Sequence, residues 1–265
     1  MTAVADARPP GDLAGVIQFC GVQFARFRAA GFSALLAGVA NPLFFLLAIG
    51  MGLGSQIDGA DLPTDDYLSF VGAGVVAAFA FTQGAGLSMW PTMAAVKWEG
   101  TYDAALTTPL SVRALATGHI AWTGIRAGIM AALYVVALIP FGVIASPLAV
   151  LAVPAAALSA MTASAPLSAY SVTRENDASF SVIMRVGVTP LFLFSGAFFP
   201  VDQLPDSIEW LTWLVPLWHG VELCRGLITD TIGLGDALVH VAAQVVVVAA
   251  GTAAAVRTFG ARLTS

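Results

Sequence analysis

The chain has 265 residues, 58% of them hydrophobic and only 10% charged, with a formal net charge of −5. A soluble domain carries about 25% charged residues, so the composition excludes an ordinary soluble protein and points to one embedded in a membrane. No basic run interrupts it, which argues against a nucleic-acid partner. Ten arginines against one lysine, with abundant Ala and Gly, is a compositional habit of high-GC bacteria.

The N-terminus holds Asp6, Arg8, a Pro9-Pro10 pair and Asp12, with no short apolar core before a small-residue cleavage site, so no cleavable signal peptide is expected. From Leu13, LAGVIQFCGVQFARFRAAG sets Val16, Phe19, Phe24 and Phe27 near one side and Arg26 and Arg28 at its end. That pattern predicts an amphipathic helix on the inner leaflet, within an N-terminal segment 1–31.

A helix needs about 20 apolar residues to cross a bilayer. Runs of that kind predict an all-α membrane domain over 32–258 with six spans, at about 32–53, 67–90, 114–139, 147–171, 180–199 and 237–256, and a tail at 259–265. Cys20 and Cys224 then fall on opposite sides and cannot pair.

Between the second and third spans lies KWEGTYDAALTTPLS, residues 97–111, which holds the single lysine. As a helix from Thr92, it would place Trp98, Tyr102 and Ala105 at i, i+4 and i+7, and Glu99 and Asp103 as an acidic stripe. Pro109 would stop it, and Ser111 would cap the next helix. The spacing fits a docking surface for another protein and fits an ordinary membrane-surface helix equally.

Within the third span His119, Thr123, Arg126 and Met130 form one stripe, and Arg126 is the one charge well inside a span, Arg185 lying near the polar end of the fifth. It has two readings: a face of a translocation path or subunit interface that meets an anionic headgroup, or a side chain near the span's end that snorkels to water. TRENDASF, residues 173–180, reads as a charged hairpin, solvated or making a second protein contact.

WLTWLVPLWHGV, residues 210–221, is bounded by Glu209 and Glu222 and is about half a span long. With Trp213, Pro216 and Trp218 it is predicted to lie in the interface or to dip in and return, over about 205–226. His219 and Glu222 lie three apart, but a metal site needs more ligands than this segment offers, so no metal is expected.

Charge chooses the orientation. Arg8, Arg26, Arg28, Lys97, Arg113, Arg174, Arg185, Arg257 and Arg262 fall on one side and only Arg225 on the other. Both termini are therefore expected in the cytoplasm, with Asp58, Asp61, Asp65, Asp66, Asp202, Asp206 and Glu209 outside.

The stretch WEGTYDAALTTPLS resembles the cytoplasmic loop of ABC-2 type permeases, with their Glu-x-Gly-Thr-x-(acidic)-x-x-Leu-Thr-Thr-Pro pattern on Glu99, Gly100, Thr101, Asp103, Leu106, Thr107, Thr108 and Pro109. Ala104 departs from the usual Leu after the acidic residue. TPLFLFSGAFFPVDQLP (189–205) and VPLWHGVELCRG (215–226) resemble later segments of that family, nearest its branch exporting lipo-oligosaccharides, including nodulation factors, and drugs. The first half of the chain matches in hydropathy alone.

The resemblance implies the following. Residues 98–109, with Trp98 and Tyr102, form a coupling helix seated on a separate ATP-binding cassette subunit, present in two copies. This chain pairs with a second copy or a related permease and moves an amphiphile outward. His119, Thr123, Arg126, Ser195, Phe198 and Phe199 lie on the path or at a subunit interface. Trp213, Pro216, Trp218, His219 and Glu222 belong to an outer gate.

A P-loop needs Gly-Lys-Ser/Thr, and Lys97 follows Val96. The chain is therefore expected to be no enzyme and to bind no cofactor, with ATP and Mg²⁺ in the partner. Two alternatives stand. An ion-coupled carrier would want a carboxylate inside a span, and the six spans hold none. An intramembrane lipid-modifying enzyme would want a catalytic cluster, for which His219, Glu222 and Asp202 are the one candidate.

Overall fold

The computed structural model describes residues 11–48, 52, 64, 66–201 and 212–263. Helix α1, Asp12–Ala29, has Asp12 in its first turn and Arg26 and Arg28 in its last, the order that favours the helix dipole. Gly31, at φ 68°, turns the chain into α2, Phe32–Leu46. Most of the first predicted span beyond Ala48, and Asp58, Asp61 and Asp65, lie outside the described residues.

Helix α3, Tyr67–Met93, begins under a cap, the Ser69 N–H donating to Asp66 Oδ1 at 2.5 Å. This satisfies one of the amides left free at a helix start. The chain then passes through a π-helical turn, Ala94–Trp98, that closes with the Glu99 N–H donating to the Ala94 carbonyl at 2.8 Å. Gly100, at φ 61°, takes a left-handed conformation that favours glycine and redirects the chain into α4, Thr101–Leu106.

The expected single helix from Thr92 is thereby corrected. The wide turn and the break at Gly100 shift the register, so Trp98 is 63% exposed while Tyr102 is 4% exposed.

Ser111 caps α5, Val112–Leu138, by accepting from the Ala114 N–H at 3.0 Å. After a reversal at Gly142, a 3₁₀ turn at Pro147–Leu151 leads into α6, Ala152–Ser171. Helix α7, Ala178–Val182, a π segment at Ile183–Val188 and α8, Thr189–Leu193, form one apolar run. It stops at Leu193, short of the expected 199, because Gly196 at φ 80° turns the chain away. Helix α9, Pro216–Thr229, ends at Asp230 in the left-handed region, and α10, Leu234–Leu263, closes the fold.

The described chain is all-helical. Among the described residues four stretches are long and apolar enough to cross a membrane: Tyr67–Trp98, Val112–Phe141, Pro147–Ser171 and Leu234–Leu263. Helices α3 and α6 make the most extensive contact, and α6 also packs against α5 and α10. A Cβ at Gly84 would stand 2.2 Å from the Ala160 carbonyl oxygen. Only glycine permits that approach, the usual role of small residues between membrane helices.

Helix α10 buries one stripe, His240, Gln244, Gly251, Ala255 and Phe259, and leaves Leu238, Val245 and Val246 exposed. An apolar outer surface of this kind belongs against lipid or a second chain.

Helix α1 runs lengthwise along the first half of α5. Gly15 meets Ala114 and Phe19 meets Gly118, while Phe27 meets Trp122 and Arg126. Phe19 and Phe27, on the side expected to rest on the inner leaflet, pack against α5 instead.

Candidate functional site

Two polar regions stand out, one at each end of the long helices. At the Lys97 end, α4 is held by one buried side chain. The Tyr102 ring packs 5.9 Å from Phe259 and 6.5 Å from Phe19, centroid to centroid, so it touches both α10 and α1. Its Oη lies 3.0 Å from His119 Nδ1, and His119 Nε2 lies 3.3 Å from Thr92 Oγ1. The phenol donating to Nδ1, and Nε2–H donating to Thr92, satisfies the ring at both ends. Burial raises the Tyr102 pKa, so the phenol stays a donor throughout the physiological range.

The remainder of this segment faces outward. Trp98, Glu99, Asp103, Thr107, Thr108 and Pro109 are exposed, while Gly100, Thr101 and Leu106 are half-buried. The Thr107 and Thr108 hydroxyls donate to the Ala104 and Ala105 carbonyls at 2.8 and 2.6 Å, which closes the end of α4. The result is a short polar helix with one anchored face and one open face.

A second tie comes from the 173–180 loop. The Glu175 carboxylate accepts from Lys97 Nζ and, at 3.0 Å, from Arg262 Nη2. The Lys97 hydrogen bond, followed by the Arg262 charge, holds the Glu175 pKa below its usual value. Lys97 before α4 and Arg262 at the end of α10 are thus joined through one side chain.

Of the predicted stripe on α5, His119 is the buried hub described above. The Thr123 hydroxyl donates to the His119 carbonyl at 2.9 Å. The Arg126 guanidinium lies 5.5 Å from the Phe27 ring centroid, and its buried Nε has no hydrogen-bond partner among the described residues.

At the opposite end, α9 lies against α3 and α6. A Cβ at Gly220 would be 2.1 Å from Ser159 Oγ, and the Ala145 N–H donates to the Ile228 carbonyl at 2.9 Å. Residues 202–211, including Asp202, Asp206 and Glu209, lie outside the described residues.

His219 Nε2 lies 3.0 Å from the Trp213 carbonyl, and its Nδ1 lies 2.9 Å from His240 Nδ1. A carbonyl only accepts, so His219 carries its proton on Nε2 and receives one from His240 Nδ1–H. Trp218 packs 4.9 Å from both Trp213 and His219, measured between centroids. Pro216 takes the first position of α9, where its missing N–H costs nothing.

Glu222 pairs with Arg225 at 2.5 Å. Arg225 is 2% exposed, lies 3.8 Å over the Phe70 ring and donates to the Phe70 carbonyl at 3.4 Å and to the Gly196 carbonyl.

Of the residues expected on a path, Ser195 is fully buried and its hydroxyl donates to the Phe192 carbonyl at 2.9 Å. Phe198 packs 5.2 Å from Phe45, and Phe199 lies 6.1 Å from Phe194. These three therefore belong to the packing beside α2 and α8 within one chain and are not brought to His119, Thr123 or Arg126.

Sequence reasoning missed Arg225, His240, Glu175 and Thr92. The first three were visible as charged or titratable residues, but apart from the Glu222 beside Arg225 their partners are distant in sequence. Among the described residues no group of three or more His, Cys, Asp or Glu side chains is placed to hold a metal ion.

The fold is that of an all-helical membrane protein with a short polar helix between two long apolar helices, and the chain belongs to the ABC-2 type transporter family, whose family model matches residues 18–229. It is thus the membrane subunit of an ABC transporter and not an enzyme. Its relatives include Nodulation protein J of Sinorhizobium fredii, 28% identical over 218 residues that cover 82% of each chain. Nodulation protein J of Rhizobium meliloti is 28% identical over 222 residues, 81% of this chain and 79% of the relative. That of Bradyrhizobium diazoefficiens is 26% identical over 221 residues, 82% of each.

Proposed function

We propose that this chain is the permease of an exporter that moves an amphiphile, such as a glycolipid, lipo-oligosaccharide or lipophilic antibiotic, out of a bacterial cytoplasmic membrane. In this reading it has six spans and both termini in the cytoplasm, and it pairs with a second copy or a related permease over two ATP-binding cassette subunits. Those subunits hold the ATP and Mg²⁺.

The observation that carries the reading is the two-faced helix α4. Tyr102 locks it to α1, α5 and α10, while Glu99, Asp103, Thr107 and Thr108 stay exposed for a partner. A force applied to the open face reaches three helices through one buried ring. Closure of the ATPases on ATP would move α4 and, through it, the spans. The His219–His240 and Glu222–Arg225 contacts would hold the outer end shut between cycles. Resemblance of residues 189–205 and 215–226 to the exporting branch of the family supports outward movement, and the nine-to-one distribution of basic residues supports the cytoplasmic placement of α4.

The test is transport in proteoliposomes holding this chain and its cognate ATPase, with a fluorescent lipo-oligosaccharide as cargo. Movement that requires ATP and survives a protonophore supports the proposal. Movement that persists without ATP and stops with the protonophore would return the chain to the ion-coupled class.

A further inference from the structure

Beside α4 lies a cleft that the coupling role does not use. Its outer chamber, about 400 Å³, opens between α1 and α4, with Gln18, Phe19, Val22, Ala105, Thr108 and Leu110 on its walls. Its inner chamber, about 200 Å³, reaches α5, where Trp122, Thr123 and Arg126 line it. Gln23, Arg26, Thr101 and Tyr102 line both chambers, so the two adjoin. Together they fall within the range of about 300–1,000 Å³ usual for small-molecule sites.

The charges in this cleft are unbalanced. Arg26 and Arg126 both face the inner chamber, against one carboxylate, the exposed Glu99. Neither arginine is in an ion pair among the described residues; the pairs there are Lys97 and Arg262 with Glu175, Arg113 with Asp12, and Arg225 with Glu222. The buried Nε of Arg126 is an unmade charge-assisted hydrogen bond. A guanidinium inside a membrane domain normally pairs or meets a water-filled cavity. The orphan donor, the second arginine and the net positive charge all call for one anion, and the planar fork of Arg126 suits a phosphate or carboxylate.

We propose that this cleft binds the headgroup of an anionic membrane lipid, its charged group held between Arg26 and Arg126 and the rest of the headgroup seated in the outer chamber. Gln18, Gln23, Thr101 and Thr108 offer hydrogen bonds to glycerol or sugar hydroxyls there, and the Phe19 and Tyr102 rings offer apolar faces. The lipid's chains stay with the bilayer, beside the exposed Val22 and Phe24 of α1. The site is a property of this chain alone and is independent of ATPase association and of what is exported.

The experiment is native mass spectrometry of the full chain in detergent, titrated with phosphatidylglycerol or phosphatidylcholine. Phosphatidylglycerol is expected to bind preferentially, by about thirty-fold for two arginines facing a headgroup of net negative charge. Arg26→Gln, an exposed change that leaves the core untouched, should lower that preference, and Arg26→Gln with Arg126→Gln should abolish it. Arg28→Gln, outside the cleft, should leave it intact.

Equal binding of the two lipids by the wild-type chain, or an unchanged preference in both cleft variants, overturns the proposal. Soluble glycerol phosphate serves as the last arm. If it displaces phosphatidylglycerol at matching concentration, the site takes a free anion and the lipid assignment is wrong. If displacement needs a large excess, the membrane-borne source stands.

Discussion

The Tyr102 hydroxyl and the His119 ring, on two different helices, lie 3.0 Å apart and are both buried. Each is the other's hydrogen-bond partner, and Thr92 completes the set. Tyr102→Phe keeps the ring between Phe19 and Phe259 but leaves Nδ1 of His119 without its donor. The expected loss is about 1–3 kcal/mol of stability, the usual penalty for a buried unsatisfied group. Tyr102→Ala also empties the aromatic site and should lose about 3–5 kcal/mol. Unfolding in detergent, followed by tryptophan fluorescence, measures both.

Glu175 joins Lys97 to Arg262. With its pKa held below the usual value, its contribution is fully present above the ordinary glutamate range and is lost as pH falls through the lowered value. Spin labels at Trp98 and Leu263 should give a narrow distance distribution at neutral pH that broadens on acidification. Glu175→Gln should show the broad distribution at every pH.

Gly84 faces the Ala160 carbonyl so closely that a methyl group has no room. Gly84→Ala should push α3 from α6 and destabilise the fold by about 1–3 kcal/mol, the range for overpacking. Gly86, with open space around it, should accept the same change at little cost beyond a gain in helix propensity. Thermal unfolding of the two variants side by side separates steric from propensity effects.

Arg225 is buried against Phe70 and donates to carbonyls from two separate segments as well as to Glu222. Arg225→Ala leaves those acceptors and Glu222 without their partner, and about 3–5 kcal/mol should be lost. Arg225→Lys keeps the charge but not the fork, so it should rescue only part. Protease sensitivity at the 194–201 turn reports whether this end has come loose.

The long elements were legible because a span demands a long apolar run, and α3, α5, α6 and α10 each supply one. Ser111 as a cap was legible for a local reason: its acceptor serves an amide three residues on. The register of α4 was not. The AAVKW stretch carries no proline or glycine to announce a π turn, and that turn, with the break at Gly100, decides that Tyr102 points in and Trp98 out.

Partnerships across the fold were hidden for a different reason. Arg225 finds backbone carbonyls, which every residue has, so nothing in the sequence marks Phe70 or Gly196 as its acceptors. His219 looked like one half of a pair with Glu222. It accepts instead from His240, brought alongside by the turn from α9 into α10.

The central claim, that the open face of α4 is a seat for an ATP-binding cassette subunit, is tested most directly by co-purification. The wild-type chain and an Asp103→Lys variant would each be co-expressed with the cognate ATPase and drawn out through a tag on the permease. Asp103 is exposed and makes no ion pair among the described residues, so the variant should unfold at the wild-type temperature. The account predicts stoichiometric ATPase with the wild-type chain and little or none with the variant. Equal recovery with both, or a wild-type chain that elutes alone, would contradict it.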